Sequence, residues 1–153
     1  MTTPTNKIQW SKLKPLQIER LIGEAFGIPP RNQEWILSTD GGESCWRGGF
    51  KSKEEAERYF KEHDEKYPES WTKGSTAHLW TFPPNFTQNM TDAWMLVQKL
   101  KSKGWTFQLT SSERNQWGAR FSKLSVEGWQ RHRSPCVAIC IAALRAKGLE
   151  VEV

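Results

Sequence analysis

Apolar positions recur at helical spacing over residues 91–104 and then switch to a period of two, and this change of rhythm organises the C-terminal third of the chain. Ala93, Leu96, Val97 and Leu100 share one face of a 3.6-residue helix, with Gln98, Lys99, Lys101 and Lys103 on the other. Thr91 or Asp92 offers an N-cap oxygen, the late lysines suit the negative end of the helix dipole, and Gly104 supplies a left-handed stop. Trp105, Phe107 and Leu109 then alternate with Thr106, Gln108 and Thr110. After turn chemistry at 111–115, Trp117, Ala119 and Phe121 alternate with Gly118, Arg120 and Ser122. These two runs predict a β-hairpin. Residues 123–133 read as a basic loop that ends at Ser134-Pro135, an N-cap followed by the residue best suited to the first helical position. The helix it opens, 136–144, is apolar on nearly every side and is expected to be the most enclosed element.

The N-terminal half carries the same kinds of signal. Ile18, Leu21, Ile22 and Ala25 define a helical face within 16–26, stopped by Gly27 and Pro29-Pro30. Residues 34–38 and 44–50 flank Asp40-Gly41-Gly42 and predict a hairpin with Trp35 and Trp46 near its two sides. Ser52 and Glu55 form a capping box for a helix whose inner face holds Ala56, Tyr59, Phe60 and His63 and which ends near Tyr67-Pro68. Residues 77–82 suit a short strand. A tryptophan, a turn, a second tryptophan and a helix thus occur twice. An internal repeat and the ordinary recurrence of a hairpin followed by a helix both fit that echo.

At 153 residues the chain suits a single domain with one core. Within it, 1–12 are expected to be flexible, 32–78 form a hairpin-plus-helix segment that reads as an insertion, and 91–148 form a helix-hairpin-helix unit. Hydrophobic content is only 37%, but nine tryptophans and seven phenylalanines predict an aromatic-rich core. Residues 1–6 are polar, resembling neither a leader nor an anchor, and no run approaches the roughly 20 apolar residues of a spanning helix. The host cytoplasm is the expected location. Cys45, Cys136 and Cys140 are odd in number and read as reduced core thiols, and His63, His78 and His132 show no metal-ligand spacing with them. No metal or cofactor is expected.

Three segments resemble the phage ABA sandwich domain family. They are residues 18–24, Ile-Glu-Arg-Leu-Ile-Gly-Glu; residues 92–100 with Gly104-Trp105; and residues 134–144, Ser-Pro-Cys-Val-Ala-Ile-Cys-Ile-Ala-Ala-Leu. The likeness covers about half of the chain. It implies a phage or prophage origin and an α+β fold, an α/β/α layered sandwich with a small, mostly antiparallel sheet and helices packed on it. The family brings no catalytic residues to carry over, and residues 32–78 are longer than its usual connection.

Charge supplies the first functional clue. Lys and Arg total 22 against 17 acids, a net +5, which favours anionic partners. Arg114, Arg120, Lys123, Arg131 and Arg133 cluster around Trp117 and Trp129. Guanidinium groups bind phosphate through paired hydrogen bonds and indoles stack on bases, so the mixture suits a nucleotide or nucleic-acid site. Trp117 falls in phase with Phe121 and reads as core, which turns Arg120 to the opposite sheet face. Trp129 fits both an exposed stacking residue and a loop anchor. Arg131 and Arg133 fit both a solvated basic loop and an anion site at the N-terminus of the last helix. Trp46 and Arg47, beside Gly48-Gly49, repeat the pairing of ring and cation, although a tight turn or bulge also explains the glycines.

No nucleophile and base share a local spacing, so catalysis is not expected. Three functions remain. The first is a phage protein that binds a small anionic, nucleotide-like ligand through Arg114, Arg120, Trp129, Arg131, Arg133, Trp46 and Arg47. On this reading it sequesters a host immune signal, with the pocket completed by a second copy in a homo-oligomer. The second is a single-stranded DNA or RNA binder using the same groups. The third is an adaptor or inhibitor that meets a host protein through exposed aromatics such as Trp10, Trp71 and Trp80.

Overall fold

A computed structural model describes residues 7–112 and 114–153. The expectation for residues 1–6, and the Glu113 position of the predicted turn, lie outside the described residues. The described chain is α+β, with four helices and three small sheets. It divides into two compact units, one of 30–82 and one made by the segments on either side of it.

The flanking segments contain β1 (Ile8–Gln9), a 3-10 turn (Trp10–Lys12) and helix α1 (Pro15–Phe26), which Gly27 closes in the left-handed conformation at φ 64°. Strand β1 and the 3-10 turn fall within residues 7–12, the described part of the segment expected to be flexible. Ile18, Ile22 and Phe26 bury the inner face of α1. Its Glu19 is also buried, where the carboxylate accepts from the backbone N–H groups of Phe86 (2.7 Å) and Thr87 (3.1 Å) and from the Thr87 hydroxyl. Those bonds satisfy a charge that would otherwise be costly to bury.

In the intervening unit, β2 (Asn32–Ser38) is central, antiparallel to β3 (Arg47–Phe50) on one side and β4 (Thr76–Phe82) on the other. Helix α2 (Lys53–Lys66) lies on this sheet. Its N-cap Ser52 accepts from Glu55 N (3.1 Å), while the Glu55 carboxylate accepts from Lys51 N (2.9 Å). Leu37, Phe50 and Ala56 form its small core, surrounded by Trp35, Trp46, Tyr59, Phe60 and Ala77.

Helix α3 (Met90–Ser102) starts one to two residues before its predicted position because Asn89, not Thr91 or Asp92, is the cap: its side chain accepts from Asp92 N (3.1 Å). Asp92 is buried and accepts instead from Asn85 N (2.8 Å). The predicted hairpin is present as β5 (Thr106–Ser111) and β6 (Trp117–Lys123). The predicted basic loop is corrected, because most of it is a third strand, β7 (Val126–His132), antiparallel to β6 and at the edge of the sheet. Leu124-Ser125 joins the two strands, with Leu124 at φ 54°.

Strand β7 lacks apolar alternation because helix α4 (Pro135–Ala146) lies almost on its backbone. A Cβ at Gly128 would stand 2.3 Å from Ala142 O and 2.4 Å from Ala146 N. Only glycine fits there. Helix α4 is the most enclosed element, packed against β6, β7 and α3, with Ala138, Ile139, Cys140, Ile141 and Leu144 fully buried. The chain ends in β8 (Val151–Glu152), parallel to β1.

The two halves do not repeat one topology. In 30–82 the third strand follows the helix and pairs with the first strand, whereas β7 precedes its helix and pairs with the second.

Candidate functional site

The face of the β5–β6–β7 sheet turned away from α4 carries the polar half of each strand. Register sets its side chains in rows: Thr110, Gly118 and Arg131; Gln108, Arg120 and Trp129; Thr106, Ser122 and Glu127. Directly opposed side chains on such a face have Cβ atoms about 5 Å apart. The first two rows, with Glu127, line an open hollow of about 340 Å³. Its floor exists because residue 118 is glycine: a Cβ there would crowd Thr110 Oγ1 at 3.1 Å and touch Arg131 Cγ at 3.9 Å.

Trp129 projects from β7 with 56% of its surface exposed. Its backbone is held from behind, where Arg145 of α4 donates to Trp129 O (2.9 Å), to Gln130 Oε1 and to Val151 O (2.8 Å). Partial burial lowers the pKa of Arg145. The clasp engages carbonyls next to the open edge of the sheet and fixes the strand that carries the indole. Arg120 forms an ion pair with Glu127, the residue it meets diagonally across β6 and β7. Among the described residues no carboxylate pairs with Arg131. Arg131 also borders a second hollow with Ser111, Ser112, Arg114 and Gln116.

Of the residues expected to act together, Arg120, Trp129 and Arg131 share one hollow, and Arg114 adjoins it through Arg131. Arg133 is exposed in the bend before the α4 N-cap Ser134 and does not line either hollow. Trp117 is half-buried on the inner face with Ala119 and Phe121. Sequence reasoning missed Glu127, Gln108, Thr110, Gly118 and Arg145. The polar phase of β5 already marked Gln108 and Thr110 as facing away from the core. Glu127 carried no such mark, because its strand read as loop.

Trp46 and Arg47 belong to 30–82 and are engaged there. Trp46 donates its indole N–H to Ser75 Oγ (2.9 Å) and packs near His63 (5.1 Å), Trp71 (6.0 Å) and Tyr59 (6.4 Å), measured between ring centres. The Arg47 guanidinium lies over the Tyr59 ring at 5.1 Å. Gly49, at φ 84°, and a register shift between Trp35 and Leu37 account for the paired glycines as an irregular strand pairing. Of the tryptophans expected on the surface, Trp71 is 73% exposed, while Trp10 and Trp80 are half-buried.

Cys136 and Cys140 are buried, and burial raises both thiol pKa values. Cys45 departs from the expectation of a core thiol: it is exposed, with its pKa raised by partial desolvation and then by Glu34. Among the described residues no group of three His, Cys, Asp or Glu side chains could hold a metal ion, and no helix is long and apolar enough to cross a membrane.

A mixed α+β sandwich built from helices on small antiparallel sheets, with one polar sheet face open, is the class this chain defines. The profile of the phage ABA sandwich domain matches residues 49–144, and the chain belongs to that family. A phage protein from Bacillus cereus, solved by crystallography, has a similar fold with a TM-score of 0.54 at 17% identity, over 96% of this chain and 99% of that one. No curated protein matches the chain.

Proposed function

We propose that the outer face of the β5–β6–β7 sheet binds a small anionic, nucleotide-like ligand and does not transform it. The observation that carries this reading is Trp129, a large indole held open to solvent between Glu127 and Arg131 and opposite Arg120. Exposing an indole forgoes substantial hydrophobic stabilisation, and base stacking on an aromatic ring is worth about 1–3 kcal/mol. Arg131 supplies a planar cation for phosphate, and the hollow matches the lower end of the ligand-pocket range. Gln108, Thr110, Arg120, Glu127 and Arg131 include no activated nucleophile, which supports binding over catalysis. On this reading the protein is a sponge for a host nucleotide signal, and a second copy over the open face would enclose the ligand.

One observation favours a longer ligand. The hollow is open and shares Arg131 with the depression at Arg114, a continuation suited to a single strand of DNA or RNA. Isothermal titration with nucleoside monophosphates and with short single strands, each at two salt concentrations, separates the readings. A small-ligand site binds monophosphates with a shallow salt slope, while a strand site steepens with the number of phosphates neutralised. Trp129→Ala and Arg131→Ala are each expected to weaken binding about tenfold or more. Unchanged affinity in both variants would remove this face as the site.

A further inference from the structure

Glu127, Trp129 and Arg131 occupy alternate positions of β7 and line the same hollow. Alternate residues of a strand stand about 6.8 Å apart, so β7 presents a carboxylate, a ring and a guanidinium in a row. We propose, resting on the nucleotide reading above, that this row recognises a guanine nucleotide: the base stacks on Trp129, the phosphate meets Arg131, and the Watson–Crick edge turns to Glu127.

The chemistry of the base edges selects guanine. An ionised carboxylate only accepts hydrogen bonds, and its two oxygens match two neighbouring N–H donors. Guanine presents such a pair, its ring N1–H beside its exocyclic amine. Adenine and cytosine each place an amine next to a ring acceptor, and uracil flanks its single N–H with carbonyls. A bare carboxylate would also repel the phosphate end of the ligand. Arg120 offsets that charge through its ion pair with Glu127, and a carboxylate with about four lone-pair positions still has room for the base. Arg120 is therefore a positioning residue, while the anion-binding role falls to Arg131, which no described carboxylate engages.

Titration calorimetry with guanosine, adenosine and inosine 5′-monophosphates tests the assignment. The wild-type protein is expected to bind the guanosine compound at least about tenfold more tightly than the adenosine one, in keeping with a good two-bond base contact. Inosine monophosphate, which lacks only the exocyclic amine, should lose most of that preference without any change to the protein. Glu127→Gln should bring the guanosine-to-adenosine ratio close to one, and Trp129→Ala should weaken both ligands. Equal affinities in the wild type, or a preference that survives Glu127→Gln, would overturn the guanine assignment while leaving nucleotide binding in place. Absence of binding by all three compounds would instead overturn the nucleotide reading and this one with it.

Discussion

The same pair of residue types, tryptophan beside arginine, is used in opposite ways in the two units. In 30–82, Trp46 gives its N–H to Ser75 and its faces to neighbouring rings, and Arg47 lies over Tyr59. On β7, Trp129 and Arg131 face an open hollow. Charge follows the same division, since 30–82 hold eight Lys and Arg against ten Asp and Glu, while the flanking segments hold fourteen against seven. The basic character of the whole chain is thus a property of the segments that build the sheet. Adjacency of ring and cation in a sequence does not tell a pair engaged by neighbours within its own unit from a pair that faces an open hollow; the fold does.

Three substitutions and one titration break or sharpen that contrast. Gly128→Val has the largest expected effect, about 3 kcal/mol or more of stability, because its branches would collide with backbone atoms of α4. A denaturant titration showing little loss would mean that α4 does not rest on β7. Next, Trp46→Ala should cost roughly 2 kcal/mol through lost ring packing and the lost hydrogen bond to Ser75 Oγ, which keeps its own bond to the Thr72 carbonyl, while leaving ligand affinity untouched. Trp129→Ala should do the reverse, shifting stability by no more than about 0.5 kcal/mol. If Trp46→Ala abolished ligand binding, the division between packing and recognition would fail.

The smallest effect concerns Asp40. Hydrogen bonds from Ser38 Oγ (2.5 Å), Ser44 Oγ (2.5 Å) and Ser44 N (2.9 Å) hold its carboxyl well below the ordinary value of 3.8. A depressed folded-state pKa stabilises the fold above the ordinary carboxylate range, and that contribution fades as pH falls through the lower folded-state value. The Asp40 carboxyl should therefore titrate below ordinary aspartates by NMR, with Ser44 amide protection lost only in that acidic range. A midpoint near 3.8 would show that the serines do not hold the turn.

Where a rule of local physics was sufficient, the chain was legible. Gly27 and Gly104 marked helix ends, Ser134-Pro135 marked a helix start, and the Trp105 to Leu109 and Trp117 to Phe121 alternations marked two strands. Strand β7 was hidden because its inward positions 128 and 130 are not apolar: Gly128 is required by the close approach of α4, and Gln130 accepts from Arg145 of that helix. Its turn was equally quiet, since Leu124-Ser125 bears no mark of the left-handed geometry that Leu124 adopts. Missing the strand concealed the register, and only register places Arg120 opposite Trp129 and beside Glu127. The arginines and the indole of the candidate site could be read from the sequence, but the acid between them could not.

Because α4 holds β7 through main-chain atoms at Gly128, the three outward side chains at 127, 129 and 131 contribute little to holding the strand in place. Exchanging them leaves the support beneath intact. Such a strand can change its chemical vocabulary within a lineage while the scaffold stays constant.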